Sequence, residues 1–306
     1  MSSLAVELAG LRLANPTILA SGVMGSAKAS LVKIAESGAG AVTIKSVTRE
    51  PRPGHRNPTM VEVSAGFLNA VGYSNMGLDA AKKEFVGLKD VAVPVIASVV
   101  AEDADGFRHL AAEFGKLGFD AVEAVLSCPH TPGLGLLAGH GTPEATREIT
   151  SAVRKSSKLP LIVKLSPNVP DIGGVAEAAV SAGADVINMG NTLGPGMVID
   201  LKSRQPVLDF KVGGLSGPAV KPVTVRCVYD IYEATGGETP IIATGGITTG
   251  LDAVEAFMAG ASAVGVGTAL KYRGLDVFKL ICSEVVEWME SNHVGEISEV
   301  VGVAHG

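Results

Sequence analysis

The chain has 306 residues, enough for either two domains or one large α/β barrel with a substantial core. Its 38 glycines and 4% aromatic content suit many short buried parallel strands, with Gly at the turns. A net charge of −6 with no Lys/Arg run argues against nucleic acid as the main ligand, and the longest apolar run, around Val91 to Ala101, is broken by Pro94 and falls short of the roughly 20 residues that span a bilayer.

The first residues lack both a basic segment and a continuous apolar core, so they do not read as a signal peptide. Three widely separated cysteines make no disulfide framework. A reducing, cytoplasmic setting is the expectation.

Residues 4–13 alternate apolar and polar around Ala9-Gly10, as a hairpin does, and are expected to cap the bottom of the fold. Thr17–Ala20 is a short apolar run ending in Ser21-Gly22. A helical stretch over 28–37 follows and stops at Gly38, before the buried strand Ala41–Lys45. This joint recurs at Leu117–Val122, Ala182–Ile187 and Ala259–Val264: a helix end, a Gly, a small or acidic residue, then a strand. With Pro94–Val99, Pro160–Leu165 and Pro240–Thr244 there are eight strand candidates. Amphipathic stretches near 103–117, 142–156, 171–182, 217–234, 249–259 and 275–291 separate them. Eight strand–helix units in roughly 250 residues predict a (β/α)8 TIM barrel; a doubly wound sheet is the competing arrangement.

Three loops are long: Ser46–Asn75, with a hairpin expected at Thr59–Val63 and Gly66–Val71, the loop after Cys128, and Asn191–Leu215. All follow strand C-termini, the face on which barrel sites are built. No shift in composition marks a second domain, so residues 1–306 are expected to form one domain with long βα loops.

Chemistry is expected at that face. Lys45 and Lys164 end apolar strands; each alone can snorkel to solvent, but two at one mouth suit an anionic ligand or developing negative charge. Ala243–Ile247 and Gly265–Thr268 follow the seventh and eighth strands, where backbone N–H groups can close on a phosphate. Gly213–Pro218, ahead of the next helix, can add to that pocket. Asn69, Asn75 and Asn191-Thr192 either serve their own turns or read the edge of a heterocycle. Cys128 precedes Pro129 and sits where a strand passes into a Gly-rich loop. A thiol titrates near about 8.5 and neighbouring lysines lower it, which would make Cys128 usable as a base; otherwise it is an inert buried thiol. Cys227 and Cys282 fall in helical patterns and read as small core residues. His55, His130 and His140 lack the Cys or carboxylate spacing of a metal site, so no metal is expected.

In this order and spacing the motifs resemble class 1 dihydroorotate dehydrogenases, especially the NAD-linked (1B) catalytic subunit and its archaeal relatives. Those motifs are Asn15-Pro16, Ala20-Ser21-Gly22, Lys45–Thr48, Arg56-Asn57-Pro58, Asn69–Gly72, Ser127-Cys128-Pro129, Val163–Asn168, Asn191–Leu193, Gly213–Ala219, Gly245-Gly246 and Gly267-Thr268. The Ser-Cys-Pro-His run is also similar to the pyrimidine-reducing barrel of dihydropyrimidine dehydrogenase.

The resemblance implies an FMN-binding barrel that oxidises dihydroorotate to orotate in pyrimidine biosynthesis. Gly217, Gly245, Gly246, Gly267 and Thr268 would hold the ribityl phosphate, and Ser21, Lys45, Ser46 and Lys164 would line the flavin. Lys45, Asn69, Ala70, Val71, Gly72, Tyr73, Asn191 and Thr192 would hold the substrate. Cys128 would take the C5 proton while hydride leaves C6 for the flavin. A homodimer is implied, with an FAD and iron–sulfur electron-transfer subunit if NAD is the acceptor.

The chain departs from the family pattern at Val125 and Ser98, where Asn is usual. These departures keep a second pyrimidine-directed flavin enzyme, similar to dihydropyrimidine dehydrogenase, as the alternative. A flavin-free barrel acting as an assembly subunit is the reading from a different class.

Overall fold

The structure is a computed structural model that describes residues 3–127 and 139–306. The chain opens with the hairpin β1 (Val6–Leu8) and β2 (Leu11–Leu13), whose turn is Ala9-Gly10. Then come β3 (Thr17–Leu19), α1 (Lys28–Glu36) and β4 (Ala41–Thr43). The hairpin β5 (Met60–Val63) and β6 (Gly66–Asn69) leads to α2 (Leu78–Glu84), β7 (Val95–Val99) and α3 (Ala104–Phe114). β8 (Ala121–Val125), α4 (Pro143–Ser156), β9 (Leu161–Leu165), α5 (Ile172–Ser181) and β10 (Val186–Met189) follow. After β11 (Leu193–Gly196), β12 (Ile199–Asp200), β13 (Gln205–Pro206) and β14 (Gly213–Ser216) come α6 (Lys221–Ala234) and β15 (Ile241–Thr244). The chain ends with α7 (Gly250–Met258), β16 (Ala263–Val266), α8 (Ala269–Arg273) and α9 (Val277–Ser291).

Among the described residues, eight parallel strands close into a barrel in the order β3-β4-β7-β8-β9-β10-β15-β16, with β16 pairing back onto β3. The expected eight strands are the barrel strands. The recurring joint has a physical cause. Gly38, Gly118, Gly183 and Gly260 all take positive φ, between 80° and 119°, which a side chain disfavours and which turns the chain from helix into strand. The acidic residue that follows satisfies a neighbouring strand's first N–H. Asp120 accepts from Val95 N at 2.8 Å, and Asp185 accepts from Leu161 N at 2.8 Å. Helix starts are capped locally, by Asp103 on α3, Thr142 on α4, Asp171 on α5 and the reciprocal Thr249–Asp252 pair on α7.

Strand alternation sorts side chains into two layers. Outward-facing Leu19, Val42, Val122, Val163, Ile187 and Val264 pack with the helices in the main core. Inward, Ile18, Ala41, Ile96, Ala121, Ile162, Val186, Ile242 and Ala263 form a separate buried cluster, roughly alternating large and small around the ring. Leu8, Leu11 and Leu13 of the first hairpin close it from below, as a cap should.

Two features of the long loops go beyond the sequence reading. The expected hairpin β5–β6 exists, but it is half of a four-stranded sheet ordered β11-β14-β6-β5. Gly213–Ser216, read as a glycine turn ahead of a helix, is strand β14, paired to both β6 and β11. Pairing partners more than a hundred residues apart left no local signal. This sheet stands over the strand C-termini as one wall of the barrel mouth.

Candidate active site

A cavity of about 650 Å³ opens at the C-terminal ends of the barrel strands, within the range of about 300–1,000 Å³ common for small-molecule sites. It is lined by Ser21, Lys45, Ser46, Lys164, Gly217, Gly245, Gly246, Gly267 and Thr268, the residues expected to hold a flavin. Asn69, Val71, Gly72, Tyr73, Asn191 and Thr192 line it as well. Ala70 does not. It is fully buried with Leu68 and Leu208 behind the cavity wall, and its N–H donates to Thr59 O, so strand alternation turns it away from its neighbours Asn69 and Val71. Cys128, with Pro129 and His130, lies outside the described residues.

The glycine end of the cavity is shaped by backbone. Gly246 has φ 77°, and a Cβ there would come within 2.6 Å of Lys221 N. A Cβ on Gly245 would meet Thr224 Oγ1 at 2.4 Å. Only glycines let these loops pass so close to α6 while leaving open space on the cavity side. Lys271, exposed on α8, lines the cavity too and adds a cation that the sequence reading did not include.

The opposite floor is polar. Lys164, 4% exposed, donates from Nζ to Ser21 Oγ at 2.9 Å. Its nearest carboxylate is Glu123, 4.0 Å away and itself 2% exposed. Ser98 donates to Glu123 Oε1 at 2.9 Å, and Asn188 Nδ2 donates to Oε2 at 2.6 Å. Ser98 also shares a hydrogen bond with Ser46 Oγ at 2.9 Å, while Asn188 Oδ1 accepts from Thr244 Oγ1 at 2.8 Å. Sequence reasoning passed over Glu123, although a lone acid in the apolar run Ala121–Leu126 was a visible signal.

The asparagines divide. Asn75 is consumed by its own turn, accepting from Thr48 N and Gly77 N and donating to Tyr73 O. Asn69 and Asn191 face the cavity. Asn191 Nδ2 donates to Ser127 Oγ at 2.8 Å and thereby ties the end of β10 to the end of β8 beside position 128. The Thr192 hydroxyl on the same wall is packed against Gly214, buried and without a hydrogen-bond partner among the described residues. Val125, 1% exposed, lines the cavity, whereas Ser98 lies beneath it within the polar web.

Of the two helical cysteines Cys227 is a core residue and Cys282 is partly buried, and burial pushes both thiols up to about 11. His55 stacks on Phe210 with ring centres 4.0 Å apart, and His140 Nε2 lies 2.9 Å from Glu102 O. Among the described residues no three His, Cys, Asp or Glu side chains are grouped to hold a metal, and no helix is long and apolar enough to cross a membrane.

A cradle of close-packed glycines and two lysines around one cavity fit a flavin mononucleotide in size and in chemistry. Residues 3–289 match the family model described as dihydroorotate dehydrogenase. The chain is 45% identical over 303 residues to the dihydroorotate dehydrogenase B (NAD(+)) catalytic subunit of Methanothermobacter thermautotrophicus, covering 99% of this chain and 98% of that one. It is 42% identical to the protein of the same description from Methanocaldococcus jannaschii, covering 99% and 98%. Among solved structures, the Eimeria tenella dihydroorotate dehydrogenase crystallised with ferulenol superposes with a TM-score of 0.85 at 25% identity, covering 99% of this chain and 88% of that one.

Proposed function

The chain belongs to the dihydroorotate dehydrogenase family, and from that premise we propose that it binds FMN in the barrel-mouth cavity and oxidises dihydroorotate to orotate, a step of pyrimidine biosynthesis. The observation that carries this is the convergence of the glycine cradle, Lys45 and Lys164 on one cavity. Gly217, Gly245, Gly246, Gly267 and Thr268 hold the phosphate through backbone N–H groups, with Lys271 adding charge nearby. Ser21, Lys45, Ser46 and Lys164 line the ring. Bound FMN supplies the acceptor for the hydride that leaves C6 of the substrate.

The chain's own residues bind the substrate and move the proton. Lys45 carries the charge that receives a carboxylate, Asn69 and Asn191 present amide groups to the pyrimidine edge, and Thr192 lines the same wall. Cys128, as a thiolate, takes the proton from C5, so that one C–H bond is lost as a proton and the other as a hydride, leaving the C5–C6 double bond. Lys164 favours the negative charge that accumulates on the floor side during the reaction.

Electrons must then leave. Relatives are named as the catalytic subunit of an NAD(+)-linked enzyme, and the sequence of this chain has no cysteine cluster of the kind that holds an iron–sulfur centre. A separate subunit carrying FAD and such a cluster is the reading that follows, testable by co-purification of the native protein.

The central test is anaerobic. Dihydroorotate added to the FMN-loaded protein is expected to bleach the flavin absorbance stoichiometrically; a flavin that stays oxidised overturns the assignment. Cys128→Ala is expected to keep its flavin and lose at least about a hundredfold in the rate of bleaching, in line with the usual contribution of a general base. An unchanged rate removes Cys128 from the reaction.

A further inference from the structure

Glu123 is a buried carboxylate for which the reaction above has no task. Strand alternation puts it two residues beyond Ala121, and so directly above the apolar ring of the barrel interior. Ser98, Lys164, Asn188 and Thr244 stand in the same layer, two residues beyond Ile96, Ile162, Val186 and Ile242. This layer separates the dry barrel bottom from the cavity. Glu123 is its hub: three routes lead from the carboxylate to the cavity wall. One is the 4.0 Å ion pair to Lys164, one runs through Ser98 to Ser46, and one runs through Asn188 to Thr244. Lys164, Ser46 and Thr244 line the cavity, and Glu123 itself does not.

The side chains of Glu123 and Lys164 are 2% and 5% exposed, so both charges are largely withdrawn from solvent. A buried pair of this kind is a poor source of stability, yet removing one partner strands the other charge. Both oxygens of Glu123 are held by neutral donors, Ser98 on the adjacent β7 and Asn188 on β10 two strands away, which fixes the carboxylate near the ammonium.

We propose that Glu123 is a positioning residue for Lys164: it holds the ammonium against the cavity floor and offsets part of its charge, thereby setting how strongly the floor favours a reduced, negatively charged flavin. The effect on the flavin rests on the FMN reading; the coupling of the two side chains does not.

Two measurements separate these. In the full chain without added flavin, Glu123→Gln, Lys164→Met and the double variant are compared by thermal unfolding. Each single variant is expected to melt several degrees below wild type, with the double variant losing clearly less than the sum. Additive losses would mean that Glu123 merely fills the barrel, and would overturn the inference. If Glu123→Gln alone does not fold, recovery of folded protein in the double variant is the supporting outcome, and loss of fold in both overturns it.

In the flavin-loaded protein, Glu123→Gln is expected to raise the equilibrium constant for two-electron flavin reduction about tenfold, an upward potential shift of about 30 mV. Ser98→Ala, which removes a donor but no charge, is expected to shift it less. A bound flavin with unchanged potential in Glu123→Gln overturns the inference. Protein that takes up no FMN counts against the functional proposal instead, while the unfolding cycle still decides the pair.

Discussion

Gly246 turns at φ 77° with the backbone of Lys221 directly behind it, so any side chain there is strained twice, by its own conformation and by contact. Gly246→Ala is expected to cost about 1–3 kcal/mol of stability from the left-handed backbone alone. Because the loop must move away from α6 to relieve the contact, flavin affinity is expected to fall at least tenfold. Thermal unfolding and flavin titration of the purified variant check the two parts, and wild-type affinity would show that this loop does not shape the cradle. At this scale the sequence carried much of the site: the motif glycines and both lysines were legible as residue types suited to a phosphate and an anion. Ala70 stands outside the cavity lining because a motif names neighbours together, whereas an extended chain sends alternate side chains to opposite faces.

At the scale of elements, the tie between α2 and α3 is electrostatic. Glu113 on α3 bonds to both Lys82 on α2 and Lys116, and these ammonium groups hold its carboxyl down at about 2. A carboxyl whose folded value lies below its unfolded value of 4.5 stabilises the fold above that value, and the contribution disappears as pH falls through about 2. Glu113→Gln is therefore expected to lower stability at neutral pH by about 0.5–1 kcal/mol, since the lysines are partly solvated. The gap from wild type should narrow steadily from pH 4.5 downward; melting curves at a series of pH values read it directly. A gap independent of pH would assign the loss to packing. The longer helices were visible in sequence because apolar periodicity is local, whereas the short α2 and α8 were not among the expected stretches. The sheet β11-β14-β6-β5 was not visible, because its register joins Leu68 to Leu215 across nearly half the chain.

At the scale of the molecule, the barrel is stacked in layers along its axis: leucines of the first hairpin, an apolar ring, the polar web around Glu123, then the cavity. Ile162→Ala, in the apolar ring, is expected to cost about 2–5 kcal/mol by leaving a void that the rigid ring cannot close. Flavin stoichiometry should stay at the wild-type value, since the polar layer stands between that void and the cavity. A lower midpoint in urea with full flavin content is the expected pair of observations, and flavin loss would mean that the layers are mechanically coupled.

The sequence by itself determined the eight barrel strands and most of their helices, the hairpin cap, the mouth as the place of the candidate site, and the family motifs. Those signals are short-range: a glycine joint, an acid that caps the neighbouring strand, an apolar period. Only the tertiary structure decided which polar groups meet. Ser46, Ser98, Glu123, Lys164, Asn188 and Thr244 are drawn from across some two hundred residues, and nothing local to any of them says that they meet. Barrel closure brings them into one water-poor layer, where a charge needs a partner and the partner can come from any strand.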